Sequence, residues 1–186
     1  MSEARSRRVF FALWPDDEAT GYLAALAESL AANGGGRPMR PAALHLTLVF
    51  VGSVTPVQVA RLEAIAAGVR AEAFELYLDR LGFWPQRGIL WAGCRQAPAA
   101  LHGRAESLAD SLRAAGFAID RRSGSALVPH ITLARRVRCA ALPRLGAPVR
   151  WRVSEFALVE SDLAAAAASY RTLASFPLDE PDGVCG

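Results

Sequence analysis

Two of the three histidines in this 186-residue chain occupy the same short pattern, in which histidine is followed by any residue, threonine and leucine. The first copy is His45-Leu-Thr47-Leu and the second is His130-Ile-Thr132-Leu. Each copy lies in an apolar, β-branched run that predicts a strand. Because successive side chains of a strand point to opposite faces, the histidine and threonine of each copy share one face. Each strand therefore has an apolar face for a core and a polar face for chemistry.

Two imidazoles that face the same space can perform acid–base chemistry on a phosphodiester, because one takes a proton while the other, protonated, gives one to the departing alkoxide. The hydroxyls of Thr47 and Thr132 can donate hydrogen bonds to nonbridging phosphate oxygens. Arg135, near the end of the second strand, can bind developing negative charge. Phe10 and Phe50 are candidates for stacking on a nucleobase. This scheme needs no metal or other cofactor, and two histidines are too few for a usual zinc site.

Each of these residues also has a structural interpretation. A lone histidine in a strand is more often a packed structural residue, and it is the duplication that favours catalysis. Threonine is ordinary in strands. Arg135 belongs to the cluster Arg135-Arg-Val-Arg138, which can be plain surface, and aromatic residues in short strands usually fill cores. The third histidine, His102, is predicted to be a solvated helix residue without a role in the reaction.

Composition excludes several kinds of chemistry. All 21 basic residues are arginine, so a Walker A lysine, a lysyl-nucleotide ligase intermediate and a pyridoxal Schiff base are excluded. The net charge of +3 suits an anionic ligand but is too small to indicate nucleic-acid binding. The three widely spaced cysteines form no disulfide or zinc pattern, and no apolar run approaches the roughly 20 residues of a membrane span. With no targeting segment found, we expect a cytoplasmic protein without a membrane partner.

The elements that must position the two motifs alternate between strands and helices. Strands are predicted over 8–14, 74–83, 88–94, 151–160 and 169–178, with a hairpin turn at 84–87. Helices are predicted over 17–32, from Thr55-Pro56 to about residue 71, and over 98–115. In the last of these, Leu101, Leu108 and Leu112 are expected to face inward, and four charged residues outward: Arg104, Glu106, Asp110 and Arg113.

This order predicts an α+β fold, with helices on the outer faces of mainly antiparallel sheets. The repeated strand predicts a single domain over residues 1–186 made of two pseudo-symmetric lobes, whose histidine faces meet across a central cleft. Residues 179–186 are expected to fray as a tail. Nothing in the sequence suggests an obligate dimer, so we expect a monomer.

The twin motifs, together with their flanking blocks, resemble the signature of the 2H phosphoesterase superfamily. Within it the chain is similar to the bacterial and archaeal RNA 2′,3′-cyclic phosphodiesterases, historically called 2′-5′ RNA ligases. The matching blocks are 8–12, 88–91, 129–135 and 151–160. The resemblance implies a bilobal fold and hydrolysis of RNA 2′,3′-cyclic phosphate ends to a 2′-phosphate, with reversible 2′-5′ RNA ligation as a second activity of the family. It also implies catalytic roles for His45, Thr47, His130 and Thr132, with His45 as acid and His130 as base, or the reverse.

Two other functions fit the same residues. One is a phosphodiesterase for another cyclic phosphate, such as ADP-ribose 1″,2″-cyclic phosphate. The other is a non-catalytic module that binds RNA or small nucleotides in the same cleft. Replacing the histidines separates these possibilities, because acid–base catalysis falls by roughly 10²–10⁴ per histidine and simple binding does not. The sequence leaves open the physiological substrate, the RNA length and the direction of reaction.

Overall fold

The structure is a computed structural model that describes residues 6–120, 123–124, 127–138, 142, 145–162 and 169–180. The helices are α1 (Asp17–Gly34), α2 (Pro56–Ala67) and α3 (Ala99–Ala114). The strands, in chain order, are β1 (Arg7–Leu13), β2 (Arg37–Pro38), β3 (Leu46–Val54), β4 (Phe74–Leu78), β5 (Arg80–Trp84), β6 (Ile89–Gly93), β7 (His130–Arg135), β8 (Val149–Val153), β9 (Glu155–Asp162) and β10 (Ser169–Pro177).

The main sheet is antiparallel and has the order β10-β9-β1-β3-β7-β6-β5, with the short β2 also paired to β7. Its two halves meet where β3 pairs with β7 through one residue pair, Leu46 with Ile131. The predicted mixed α+β architecture with mainly antiparallel strands is therefore confirmed. The junction of the halves lies directly beside both histidine motifs.

The core lies on the helical side of the sheet, as the alternation within the motifs predicts. Leu46 and Leu48 of β3, and Ile131 and Leu133 of β7, are completely or almost completely buried there. The helices that cover them are exchanged between the halves. Helix α1, which follows β1, packs mainly against β7, β2 and β8, whereas α3, which follows β6, packs against α2 and β3.

The helix bounds follow from local capping. The Asp16 carboxylate accepts a hydrogen bond from the Ala19 amide at the start of α1, and Gly35 ends the helix with a positive φ of 67°. Helix α2 begins with a reciprocal capping box, in which the side chains of Thr55 and Gln58 each accept a hydrogen bond from the backbone amide of the other. Pro56, between them, is the first residue of the helix. No helix in the described ranges combines the length and apolarity of a membrane span.

The structure corrects two predicted strands. The segments predicted as continuous over 74–83 and 151–160 are each interrupted, at Asp79 and Ser154. On one side of each interruption, β4 and β8 pair with one another in a separate two-stranded sheet, while β5 and β9 stay in the main sheet. Alternation alone missed this change of partner because the apolar pattern continues through a one-residue break.

Two smaller expectations were also wrong. Arg104, predicted to face solvent, is buried; its Nη1 donates a 2.6 Å hydrogen bond to the Val69 carbonyl, and its guanidinium lies over the Phe156 ring. The tail does not begin to fray at Asp179, because that residue exchanges backbone hydrogen bonds with Ala71 and Ala73. Residues 181–186 lie outside the described residues.

Candidate active site

The junction between β3 and β7 brings the two motifs together. Leu46 and Ile131, which lie between the histidine and the threonine of their own motifs, pair with one another. The two motifs therefore lie side by side and run antiparallel. The four side chains line one cavity of about 600 Å³, on the sheet face away from the helices.

Both imidazoles are held by the same backbone contact. The Nδ1 atom of His45 lies 2.9 Å from the Ala43 carbonyl oxygen, and Nδ1 of His130 lies 2.8 Å from the Val128 carbonyl oxygen. A carbonyl can only accept, so Nδ1 carries the proton in each ring and the neutral form leaves Nε2 free as a base. The carbonyl two residues before each histidine thus fixes both the tautomer and the ring orientation.

The surroundings of both histidines favour the neutral imidazole. The pKa of His45 is lowered from 6.5 to about 4, and burial is the largest cause. The hydrogen bond to Ala43 raises this pKa by a smaller amount, and the charges of Arg135 and His130 lower it further. Burial likewise lowers the pKa of His130, and Arg135 adds to the effect. The free site therefore holds two potential bases, and a bound anion would restore the cationic form of either.

Aromatic rings surround the two imidazoles. Around His45 lie Tyr170, Phe10 and Trp14, with ring centroids at 4.8, 5.0 and 5.4 Å. The ring of Trp84 lies 4.7 Å from that of His130, and Trp91 lies 6.3 Å away. Sequence reasoning missed Tyr170, Trp14, Trp84 and Trp91, because only the fold brings β10, the end of β1 and the β5–β6 hairpin beside the motifs.

Trp91 fits beside His130 because the opposite strand carries a glycine. A Cβ added at Gly82, which pairs with Trp91, would lie 2.0 Å from the indole ring. The glycine thus lets the indole lie flat against β5. This packing supports the wall of the site that carries His130.

Arg135 lines the same cavity as the two motifs, and its effect on the pKa of both histidines follows from this proximity. The remaining wall is partly apolar. It includes residues that no motif in the sequence pointed to, notably Met39, Trp84, Gln86, Arg87, Leu127 and Val128.

The two phenylalanines lie in one cluster beside His45 rather than in the cavity lining. Phe10 is 4 % exposed and packs beneath His45 and Tyr170, so little of its ring is open to a nucleobase. Phe50 is half-buried, and the Arg8 guanidinium lies 4.6 Å from its ring centroid. Of the two, Phe50 has the more accessible ring, and its stacking role stays a prediction.

The described residues contain no group of three histidine, cysteine, aspartate or glutamate side chains placed to hold a metal ion. Among charged side chains, it is the Arg135 guanidinium that lowers the pKa of both histidines. The cavity is thus lined by two imidazoles, two threonine hydroxyls and two guanidinium groups, those of Arg87 and Arg135.

Comparison with known proteins agrees with this arrangement. The family model for LigT-like phosphoesterases matches residues 13–91. An RNA 2′,3′-cyclic phosphodiesterase of Escherichia coli strain K12 is 32 % identical over 78 % of this chain and 81 % of its own length. The chain belongs to the LigT-like phosphoesterase family. A second relative within this family, an RNA 2′,3′-cyclic phosphodiesterase of Thermus thermophilus, is 30 % identical over 92 % of this chain and 90 % of its own.

Solved structures extend the LigT-like similarity to the whole fold. The E. coli LigT crystal structure in complex with 3′-AMP aligns with a TM-score of 0.85 and 30 % identity, over 94 % of this chain and 99 % of that one. A Thermus thermophilus protein, TT0787, aligns with a TM-score of 0.75 and 27 % identity, over 93 % and 98 % of the two chains. Other E. coli LigT structures contain phosphate, ATP or NADP⁺.

Proposed function

We propose that this protein is an enzyme that hydrolyses 2′,3′-cyclic phosphate ends of RNA to 2′-phosphates by two-histidine acid–base catalysis, without a metal. The observation that carries the proposal is the matched anchoring of His45 and His130, each through Nδ1, at the junction of adjacent strands. Relatives named RNA 2′,3′-cyclic phosphodiesterase over most of this chain support the choice of substrate.

In the proposed reaction, water attacks phosphorus, and the bond between phosphorus and the ribose 3′ oxygen breaks. His130 takes the proton of the attacking water through Nε2, and His45 gives a proton to the departing 3′ oxygen, so that a 2′-phosphate and a 3′-hydroxyl result. The same roles serve 2′-5′ ligation, in which the 5′-hydroxyl of a second RNA replaces water as the attacking group and the 3′ oxygen again leaves. The opposite assignment of the two histidines predicts the same products.

The low pKa of His45 sets a condition on this scheme, because an acid must carry its proton when the bond breaks. Burial disfavours the imidazolium in the empty site. The negative charge of the bound phosphodiester reverses that preference, so His45 would take up its proton with the substrate. Thr47 and Thr132 would donate to the nonbridging oxygens, and the Arg135 guanidinium would stabilise the extra charge of the transition state.

The decisive experiment is hydrolysis in EDTA of a short RNA that ends in a 2′,3′-cyclic phosphate. The wild type, His45→Ala and His130→Ala are compared, and the phosphate position in the product is determined. We expect a 2′-phosphate from the wild type and a loss of roughly 10²–10⁴ in kcat for each variant. His102→Ala is the matched control, because it removes the histidine that lies outside the cavity.

Other results would redirect the proposal. Tight RNA binding without turnover, unchanged in both variants, would indicate a binding module. Faster hydrolysis of ADP-ribose 1″,2″-cyclic phosphate than of RNA ends would indicate the other phosphodiesterase. Activity lost in EDTA and restored by a divalent cation would refute the metal-independent scheme. The monomeric state and the cytoplasmic location stay predictions.

A further inference from the structure

The face of β1 that supports His45 continues past the catalytic cavity. Arg8 and Phe10 are alternate residues of β1 and point to the same face. Phe10 contacts the His45 ring and pairs in register with Phe50 of β3. The Arg8 guanidinium then lies over the Phe50 ring. A continuous path of side chains therefore leads from His45 through the two phenylalanines to Arg8.

This path reaches a groove of about 730 Å³ at the ends of β1, β3, β9 and β10. Hydroxyl and guanidinium groups predominate in its lining, and two carboxylates, Glu160 and Asp162, also belong to it. The Ser161 hydroxyl already donates to the Arg8 carbonyl oxygen, and the other lining side chains that carry donors are Ser6, Arg7, Arg8, Ser53, Ser169 and Arg171.

The arginines of the groove differ in what they already bind. Glu160 accepts a 2.6 Å hydrogen bond from Arg171 and lies 3.9 Å from Arg7, so both of these cations are paired. Arg8 is exposed and forms no ion pair with any described residue; its guanidinium contacts an aromatic ring instead. Arg8 is therefore the cation of this groove that is free to bind an anion.

The spacing relates this cation to the reaction centre. Thr47 pairs with Ala12 of β1, and Ser53 pairs with Arg8. Four residues along an antiparallel strand correspond to about 13 Å, so Arg8 lies well beyond a phosphate bound between the motifs. The half-buried Phe50 lies between these two positions. This order of phosphate site, aromatic ring and cation matches what single-stranded nucleic acid requires of a binding surface.

We propose that this groove is a second subsite, in which Arg8 binds a backbone phosphodiester of the RNA on the 5′ side of the terminal nucleoside. The inference rests on the proposed function for the position of the cyclic phosphate. It adds that the protein distinguishes an RNA chain from a mononucleotide, through a residue that lies about 13 Å along β1 from the strand position paired with Thr47.

Equilibrium binding tests the subsite independently of turnover. The ligands are a fluorescent RNA octamer ending in a 2′-phosphate and the mononucleotide 2′-AMP, with the full-length wild type, Arg8→Ala and Arg8→Lys. We expect Arg8→Ala to reduce the preference for octamer over 2′-AMP about fivefold or more. The slope of log affinity against log salt for the octamer should fall in magnitude by about 0.7, the value for one phosphate contact on a single strand. Arg8→Lys keeps the charge and should keep most of the slope.

Arg70→Ala is the matched control. It also removes one exposed positive charge, but from a residue that pairs with Asp179 outside both cavities. An equal loss for octamer and mononucleotide in Arg8→Ala, or no loss for either, would overturn the subsite. If the wild type does not hydrolyse a cyclic RNA end, the proposed function fails, while the octamer preference still decides whether the groove binds RNA.

Discussion

The burial of His45 predicts that this histidine makes the free protein less stable in acid. Its pKa is lowered from 6.5 to about 4 in the folded chain, so between these values the unfolded chain binds the proton more readily. The contribution of His45 to the free energy of unfolding is therefore at its full value above pH 6.5, and it falls as the pH is lowered toward 4. The difference in pKa corresponds to about 3 kcal/mol of unfolding free energy. His130 contributes in the same direction, because its pKa is also lowered.

Urea unfolding of the wild type and His45→Asn at pH 7.5, 6, 5 and 4 measures this effect. Asparagine retains a donor for the Ala43 carbonyl but cannot titrate. We expect the stability of the wild type relative to the variant to fall by about 3 kcal/mol between pH 7.5 and 4. His102→Asn provides a control that removes an imidazole outside the cavity. A wild-type advantage that stays constant across this range would show that burial does not keep His45 neutral, and would refute the reasoning.

Three further predictions concern the site. The pH profile of kcat/KM should be bell-shaped with its maximum below pH 6.5. The maximum of the kcat profile should lie at a higher pH, because the bound anion raises the pKa values of both histidines; a steady rise in activity from pH 5 to 9 would contradict both expectations. Arg135→Ala should lower kcat by about 10²–10³-fold, and it should shift the pH profile of kcat/KM to higher pH because Arg135 lowers the pKa of both histidines. An unshifted profile would show that Arg135 does not lie close enough to His45 and His130 to act on them. Gly82→Ala should lower the free energy of unfolding, measured by thermal unfolding, by about 1–3 kcal/mol and should lower kcat, because its Cβ displaces Trp91 beside His130. The control Gly103→Ala on α3 has open space around the added Cβ, so its stability should be unchanged or increased.

The face of each strand that lines the candidate site was predictable because the repeated motif combines chemical type with strand alternation. Alternation placed Leu46 and Ile131 in the core, and so placed the histidines and threonines on the other face. The duplication indicated that the two copies belong to one site. The structure adds the register, in which Leu46 of the first motif pairs with Ile131 of the second.

Backbone contacts, and contacts between distant parts of the chain, were not predictable from side-chain patterns. The carbonyls that anchor the histidines belong to Ala43 and Val128, and any residue type supplies a carbonyl. Arg104 has the spacing of a surface residue, yet it is buried because Val69 and Phe156 come from elsewhere in the chain to meet it. Strand pairing between β4 and β8 likewise joins segments that are remote in sequence.

Because the helices are exchanged between the two halves of the sheet, each half is covered by a helix that is connected in sequence to a strand of the opposite half. Helix α1 is synthesised before β3 but covers β7, and α3 is synthesised before β7 but covers β3. A chain cut between α2 and α3 would leave β3 without part of its cover in one fragment and β7 without α1 in the other. We therefore expect the two motifs to become ordered together, and neither to be testable as an isolated module.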